Sequence, residues 1–483
     1  MLTTQSISQA QTEKIGFFRF KKFDPDTYLI TNDAGRFAFL TVKEFDDFLA
    51  GKIQSGTVYE NLVSQWFIKE PAYERKMTGS YVLKNNFLGT GPTLHMVVTT
   101  LRCNHHCKYC HAAVAPMSAK ELDMSIDTAR KVLDTIFHTN STSLTIEFQW
   151  GESLVNWDVV QFMVTEWRNR AYHLKKTTYF NIVTNLTLMT DEKLEWLLAN
   201  DVSISTSLDG DKVNHNNNRT GYDGDSFERV TYWIKRINNR FTELGSTKRV
   251  GAILTVTREN FKDYKNIIDA YVELWLNNIF LRWLNPYGFA AADLKNLAYK
   301  EEEWVDFYQK SLDYILELNK KWVQIKEITS IIFLKKILAS SDPSFMDIRS
   351  PSGIAIGWVA YNFDGKVYAS DESRMLWRMW IQDFLMTDML EDGKKTYEAM
   401  MNSDICKIAV QSSCLDGLPG YNDHAYKPYM GVDIIHNFKM YGSIYQPMAT
   451  DSKTRIFESV IDYLFYKIKN NPEEKEILYK WAQ

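Results

Sequence analysis

Six strand-like segments alternate with helical segments between residues 94 and 284, and this alternation restricts the fold more than any other sequence feature. The predicted strands are Leu94–Leu101, Leu144–Gln149, Phe180–Thr184, Val202–Leu208, Val250–Val256 and Ile279–Leu284. Between them lie apolar stripes with helical spacing, as over 125–138 and 226–237. Such alternation predicts a parallel sheet with right-handed crossovers. Because six units are fewer than the eight of a closed TIM barrel, we expect an α/β fold built on an open, partial (β/α)6 barrel.

The flanking sequence predicts smaller units on both sides of this barrel. Two strand-like runs around the turn Asn32–Gly35, followed by helical patterns near 42–49 and 58–67, indicate a small α+β module. This module could dock a peptide, or it could merely pack on the barrel. A region rich in Gly, Asp, Tyr and Met contains a predicted hairpin at Asp364-Gly365 and little helical periodicity. The expected domains are an N-terminal module (1–88), the barrel (89–300), a helical linker (301–345), the Gly-rich region (346–454) and a C-terminal helix (455–483).

The composition indicates a multidomain enzyme and argues against several other classes. The chain has 483 residues, 45% of them hydrophobic, and a net charge of -4, so no basic excess points to a nucleic-acid partner. No apolar run approaches the ~18 residues of a membrane span, and the first residues lack the pattern of a signal peptide. Five cysteines are too few for a disulfide framework. We therefore expect a cytoplasmic protein without a membrane partner.

Three of the five cysteines lie within eight residues, as Cys103-Asn-His-His-Cys107-Lys-Tyr-Cys110, directly after the first predicted strand of the barrel. Three thiolates on one loop can hold three irons of a [4Fe–4S] cube and leave the fourth iron free for a small molecule. Zinc is the alternative, with a nearby histidine as fourth ligand, although no second CxxC follows downstream. The histidines in question are His105, His106 and His111. The sequence favours the cluster, with Cys103, Cys107 and Cys110 as its ligands.

The CxxxCxxC loop after a first β-strand resembles the radical S-adenosylmethionine (SAM) superfamily. In that superfamily the free iron binds the amino and carboxylate groups of SAM, and reduction of the cluster splits SAM to a 5′-deoxyadenosyl radical. The resemblance implies that this radical removes hydrogen from a substrate held at the mouth of the barrel. It also implies that a flavodoxin- or ferredoxin-like partner supplies the electron.

Motifs after the later strands resemble the SAM contacts of this superfamily. Trp150-Gly151-Glu152 is similar to its GGE motif, with Trp150 in place of glycine and Ser153 in place of proline. The segment 205–210, SerThrSerLeuAspGly, matches the SxSLDG signature of peptide-modifying members, and Arg219 matches an arginine that pairs with the SAM carboxylate. The resemblance implies SAM contacts for Tyr109, Gly151, Glu152, Asn185, Ser205, Ser207 and Arg219.

Much of the chain is similar to the His-Xaa-Ser system radical SAM maturase of the HxsB type, one of the radical SAM/SPASM enzymes. The similar segments are 31–40, 148–149, 282–288, 416–420, 426–429 and 462–465. The resemblance implies a ribosomally made precursor peptide as substrate, which would be crosslinked or epimerised. Two alternatives stay open: a radical SAM enzyme acting on a small molecule, and a non-catalytic peptide-binding partner of another maturase.

The C-terminal region departs from the SPASM pattern in its cysteines. SPASM domains bind auxiliary [4Fe–4S] clusters through cysteines, and the matching positions here hold Ser370, Tyr421, His424, Met430, Asp433 and Thr454. We expect a SPASM-like fold without auxiliary clusters, stabilised by aromatic packing. The remaining Cys406 and Cys414 could return a hydrogen atom during epimerisation, or be inert buried thiols. As acid/base candidates the sequence offers Asp209, Asp371 and Glu372, with solvated loop acids as the alternative.

Overall fold

The computed structural model describes residues 14–171, 175–342 and 348–483, and within these ranges the strands form two sheets. The strands are β1 (Arg19–Asp24), β2 (Thr27–Thr31), β3 (Phe37–Thr41), β4 (Leu94–Val97), β5 (Ser143–Phe148), β6 (Thr177–Val183), β7 (Val202–Ser207), β8 (Gly251–Thr255), β9 (Asn278–Arg282), β10 (Lys326–Glu327), β11 (Trp358–Tyr361), β12 (Lys366–Tyr368) and β13 (Leu385–Asp388). The small sheet has the order β1-β2-β3, and the large sheet has the order β10-β9-β8-β7-β6-β5-β4-β11-β12-β13.

The large sheet is an open barrel wall, which confirms the predicted α/β class and partial (β/α)6 barrel. Strands β4 to β9 pair in parallel with their immediate neighbours, and the sheet does not close on itself. The two-residue β10 extends one edge in parallel, and β11 pairs in parallel with β4 at the other. All six parallel strands therefore have their carboxyl ends at one edge, where the sequence places the site.

Helices connect the parallel strands and cover the outside of the wall. The connecting helices are Ile126–Phe137, Trp157–Ala171, Asp191–Ala199, Lys212–Asn218, Ser226–Glu243 and Tyr264–Glu273. Several begin at a side chain that accepts a backbone N–H, as Ser125, Thr190 and Asp225 do. Their apolar stripes are buried against the sheet, which explains why the helical periodicity of these segments is visible in the sequence.

The N-terminal module is an antiparallel three-stranded sheet with helices Val42–Leu49, Gly56–Ser64, Tyr73–Asn85 and Phe87–Thr90. The predicted turn is present, with Gly35 at φ +80° and its N–H donating to Asn32 O at 2.9 Å. The helix Tyr73–Asn85 was not predicted, because it has no clear apolar stripe. The module packs on the C-terminal part of the chain, for example through Thr31 Oγ1, which donates to Ala425 O at 2.5 Å.

The C-terminal region continues the large sheet and contains more helix than its sequence suggests. The predicted hairpin at Asp364-Gly365 joins β11 to β12, and β11 lies against the barrel strand β4. The helices that follow are Asp371–Trp377, Gly393–Met401, Asp404–Ser412, Ile434–Tyr441, Ser452–Asn470 and Pro472–Ala482. The first four span only two turns or so each, too short for a periodic signal. Between barrel and hairpin lie Gly288–Ala292, Leu294–Leu297, Glu301–Lys320 and Ile328–Leu338.

Aromatic side chains fill the interior of the C-terminal region, as expected. Trp358, Tyr361, Tyr368, Tyr426 and Tyr429 are all buried, with exposed fractions of 5% or less. Within the described ranges, no helix is both long and apolar enough to span a membrane.

Candidate active site

The cysteine loop follows β4 and is held against the segment that follows the helix Lys212–Asn218. Cys103 N donates to Ala115 O at 3.0 Å, His106 N donates to Thr220 O at 2.6 Å and Lys108 N donates to Asn218 O at 2.9 Å. The loop is therefore anchored by backbone hydrogen bonds at several points, which fix the backbone positions of the three cysteines.

All three thiols lie in a low-dielectric environment, at half-buried residues. Burial raises the pKa of Cys103 well above its ordinary value, raises the pKa of Cys107 to about 12 and also raises the pKa of Cys110. Neighbouring cysteines contribute to the rise at Cys103 and Cys107. Because burial disfavours the charged thiolate, a cysteine that ionises here needs a metal centre or another cation beside it.

The donor set fits a [4Fe–4S] cluster, with Cys103, Cys107 and Cys110 as ligands. Across the described ranges, no three His, Cys, Asp or Glu side chains are already gathered closely enough to hold one metal ion. The thiolates of a cube each bind a different iron, so they lie further apart than the ligands of a single ion. A cation is also present, since Arg219 Nη1 lies 3.9 Å from Cys107 Sγ.

Tyr109, Asp209 and Arg219 form a buried charged triad beside the loop. Tyr109 Oη donates to Asp209 Oδ2 at 2.6 Å, Arg219 Nη2 donates to Tyr109 Oη at 2.6 Å, and Arg219 Nε donates to Asp209 Oδ2 at 3.1 Å. Burial raises the pKa of Asp209, and the Arg219 guanidinium opposes that rise. The SAM contacts implied for Tyr109 and Arg219 stay predictions, because here these side chains bind each other and Asp209. Asp209 is fully buried, so it is not a solvated loop acid.

The loop after β5 passes very close to the cysteine loop. Trp150 and Gly151 both have left-handed backbone conformations, with φ of +68° and +66°. A Cβ on Gly151 would lie 2.2 Å from Thr100 O, so no other residue fits there. Glu152 N donates to Arg102 O at 2.8 Å and completes the junction between the two loops. Trp150, where the related motif has glycine, therefore adopts a conformation that side chains rarely take.

Glu152 joins the ends of neighbouring strands. Its carboxylate accepts the Thr184 hydroxyl at 2.6 Å and the backbone N–H groups of Asn185 and Leu154 at 2.7 and 3.1 Å. Burial raises the pKa of this carboxyl, and these hydrogen bonds oppose the rise. In this structure the residue holds the end of β6 against the loop after β5, and its contact with the SAM amino group stays a prediction.

Asn185 connects the end of β6 to the cysteine loop. Its Nδ2 donates to Asn104 Oδ1 at 2.8 Å and lies 2.9 Å from His105 Nδ1, while its Oδ1 accepts the Thr187 N–H at 2.9 Å. His105 Nε2 reaches Ser226 Oγ at 2.8 Å, which links the loop onward to the helix Ser226–Glu243. His105 thus serves as a structural connector in the described structure. Sequence reasoning placed Asn185 near SAM but missed this network.

A large cavity of about 1430 Å³ runs through the interior of the barrel. Inward-facing residues of the parallel strands line it, and so does Ser205, whose Oγ lies 3.4 Å from Asn181 Oδ1. Ser207 is half-buried at the end of β7. The cysteines do not line this cavity, yet His111 of their loop accepts the N–H of the lining residue Asn285 at 3.3 Å.

Acidic and basic side chains meet at one end of the cavity. Asp371 and Glu372 line it, and Arg282 Nη2 lies 4.0 Å from Glu372 Oε1. Burial, with the nearby Asp371 and Asp433, raises the pKa of Glu372 well above its ordinary value. Asp371 is 5% exposed, so the alternative of solvated loop acids is wrong for it as well. Burial and the neighbouring acids therefore favour the protonated form of Glu372.

The positions that match SPASM cysteines take part in hydrogen bonds. Tyr421 Oη lies 2.8 Å from Thr454 Oγ1 and donates to Asp451 Oδ2 at 2.9 Å. Lys453 Nζ lies 2.6 Å from Asp433 Oδ2. Of the others, Ser370 caps a helix, His424 Nε2 lies 3.1 Å from Glu458 Oε1, and Met430 is buried. Two of the would-be cluster positions thus bind each other, while the absence of auxiliary clusters stays a prediction.

Cys406 and Cys414 do not line the barrel cavity. Cys406 is buried, its Sγ lies 3.9 Å from Ala355 O, and burial raises its pKa to about 11. Cys414 is half-buried, with Sγ 3.8 Å from Asp416 Oδ2. Their role as hydrogen-atom donors stays a prediction.

Part of the chain, including the cysteine loop, is similar to a known family of proteins. Residues 97–270 match the model of the Radical SAM superfamily. The radical SAM cyclopropyl synthase TigE of Paramaledivibacter caminithermalis is 22% identical over 312 residues, which are 61% of this chain and 61% of that protein. The structure of native anSMEcpe with bound AdoMet has a TM-score of 0.63 at 15% identity and covers 80% of this chain and 100% of its own.

A second solved structure covers a larger share of the chain. Streptococcus suis SuiB bound to precursor peptide SuiA has a TM-score of 0.52 at 12% identity, covering 90% of this chain and 98% of its own. Residues 97–270 are thus similar to the Radical SAM superfamily, and the open barrel has the fold of these solved structures. Its sequence match spans less than two thirds of TigE.

Proposed function

We propose that this chain is a radical SAM enzyme that modifies a ribosomally made peptide. The bound cluster and SAM would supply a 5′-deoxyadenosyl radical, which takes a hydrogen atom from the substrate. The observation that carries the proposal is the CxxxCxxC loop, held at the carboxyl ends of parallel strands inside the part that matches the Radical SAM superfamily. The chain's own residues hold the three thiols in place through the contacts of residues 103–108 with 115 and 218–220.

The barrel interior supports a substrate larger than a metabolite. Its volume of about 1430 Å³ exceeds the ~300–1,000 Å³ of most small-molecule sites. The cavity extends to the N-terminal module, where its lining is basic at Arg75, Lys76 and Lys84. SuiB, of similar fold, has been solved with a precursor peptide. A peptide segment could therefore enter from the module and place one residue near the cysteine loop.

The similarity to the His-Xaa-Ser system maturase supports a precursor peptide of that system as substrate. Two outcomes follow hydrogen abstraction, and they differ in redox balance. Epimerisation returns one hydrogen atom and leaves the mass unchanged, whereas a crosslink removes two hydrogens and needs an acceptor for the second electron. A flavodoxin- or ferredoxin-like partner is proposed as the source of the electron that reduces the cluster before SAM is cleaved.

Anaerobic reconstitution tests the proposed chemistry. The full chain, loaded with iron and sulfide and reduced with dithionite, should show cubane absorbance and release 5′-deoxyadenosine from SAM, measured by liquid chromatography and mass spectrometry. Cys107→Ala should abolish both signals, while the matched variant Cys414→Ala should keep them. Absence of a cubane in the wild-type chain, or binding of a single zinc instead, would overturn the proposal.

The substrate class is tested with short peptides encoded beside the gene, incubated in D2O. A loss of two hydrogens indicates a crosslink, and one incorporated deuterium without another mass change indicates epimerisation. If 5′-deoxyadenosine forms at the same rate with and without every such peptide and no product appears, the peptide assignment is wrong and a small-molecule substrate takes its place.

A further inference from the structure

Arg374 is a fully buried cation without a hydrogen-bond acceptor among the residues that the structure describes. Its exposed fraction is 0%, and none of its three nitrogens Nε, Nη1 and Nη2 has a partner there. Most buried polar groups are hydrogen-bonded, and an uncompensated buried charge is strongly unfavourable. Burial accordingly lowers the pKa of Arg374 to about 10. Among the described residues the guanidinium has no hydrogen-bonded anion, so its donors can bind an anionic group from outside the polypeptide.

The helix that carries Arg374 lies against the cysteine loop. This helix, Asp371–Trp377, begins at Ser370, whose Oγ accepts the Ser373 N–H at 3.1 Å. Just beyond the end of this helix, Arg378 Nε donates to Ala113 O at 3.2 Å. Ala113 lies three residues after Cys110, the last cysteine of the loop. The C-terminal region and the cysteine loop are thus joined on the side of Cys110.

Arg374 lies one helical turn before Arg378, so the two side chains share the helix face that contacts the cysteine loop. Asp371 and Cys110 favour the charged form of Arg374. Asp371 lies three residues before Arg374 on the same helix and makes no hydrogen bond to it, so this acid leaves the guanidinium donors unused.

We propose that Arg374 is the counter-ion of the iron–sulfur cluster at its Cys110 corner and makes that cluster easier to reduce. The inference rests on the proposed function, because it needs the cluster. Each electron added to a thiolate-ligated cluster increases its negative charge, so a nearby buried cation favours the reduced state. A neutral residue at this position should make reduction harder.

A redox titration followed by electron paramagnetic resonance tests the effect on the cluster. Arg374→Met, which has similar length and no charge, should shift the reduction equilibrium toward the oxidised cluster by at least tenfold, or about 59 mV for one electron. Arg374→Lys should retain most of the wild-type value, because it keeps the charge. The matched control Arg378→Met removes a guanidinium from the same helix end and should shift the equilibrium less. Equal shifts in the two methionine variants, or no shift in Arg374→Met, would overturn the proposal.

A measurement on the metal-free chain keeps the inference separate from the proposed function. If the guanidinium has no partner in the apo protein, Arg374→Met should melt at the same or a higher temperature than wild type. Cluster loading should then raise the melting temperature more in wild type than in the variant. A clear loss of apo stability in Arg374→Met would show that the polypeptide already compensates the charge, and would refute the inference. If wild type takes up no cluster, the proposed function fails on its own, whatever the apo measurement shows.

Discussion

Asp209→Asn should destabilise the metal-free chain severely, because it leaves the Arg219 guanidinium buried without its counter-charge. The side chains of Asp209 and Arg219 are 0% and 9% exposed, and they meet at 3.1 Å. Since both groups are buried, water screens the interaction little. Removing one partner of such a pair typically costs about 3–5 kcal/mol. Asparagine keeps the shape of the side chain and an oxygen for the Tyr109 hydroxyl, so the loss reports the charge alone.

The test compares Asp209→Asn with the double variant Asp209→Asn/Arg219→Met. Removing both charges leaves no uncompensated ion, so the double variant should recover at least half of the lost unfolding free energy. Urea unfolding of the apo protein, followed by tryptophan fluorescence in reducing buffer, measures the three proteins side by side. The reasoning is refuted if the single variant loses less than about 1 kcal/mol, or if the double variant is as unstable as the single one.

Three further changes test other parts of the structure. Gly151→Ala should abolish 5′-deoxyadenosine release, since its Cβ would lie 2.2 Å from Thr100 O; unchanged release would contradict the close approach of the two loops. When the pH is lowered from 7 to 5, the free energy of unfolding should fall by about 2 kcal/mol less in His95→Leu than in wild type. Burial lowers the pKa of His95 to about 3 in the folded chain, whereas the unfolded chain binds the proton below the ordinary pKa of 6.5. Urea midpoints that fall equally in both proteins would contradict this. Cys406→Ala and Cys414→Ala should each keep SAM cleavage, and the one that loses an epimerised product is the hydrogen donor; if both keep the product by mass spectrometry, neither cysteine has that role.

The barrel elements of this chain were predictable, whereas several short helices of the C-terminal region were not. Every barrel strand was expected within a few residues of its observed position, because each lies beside a helix with a clear apolar stripe. The helices Asp371–Trp377, Gly393–Met401 and Asp404–Ser412 were missed, since each is short and carries few apolar positions in a region rich in Gly, Asp, Tyr and Met. The helix Tyr73–Asn85 was missed for a different reason, as it exposes apolar residues such as Leu83.

The residues of the candidate site also fall into two groups, those with a sequence signal and those without one. The predicted ligands Cys103, Cys107 and Cys110 stand out because metal ligands on one loop are close in sequence. The hydrogen bond of Glu152 with Thr184, and the burial of Arg374 on a helix that contacts the cysteine loop, had no sequence signal. Those pairs come from elements far apart in the chain, and only the packing of the elements brings them together.

The amino-acid sequence by itself determined the parallel α/β barrel and the loop that can hold a cluster, since periodicity and ligand spacing are local properties of the chain. The tertiary structure decided which charges face that loop: Arg219 from the segment after β7, and Arg374 from a helix of the C-terminal region. The physical reason is that the energy of a buried charge depends on what surrounds it in space. No spacing along the chain records that environment.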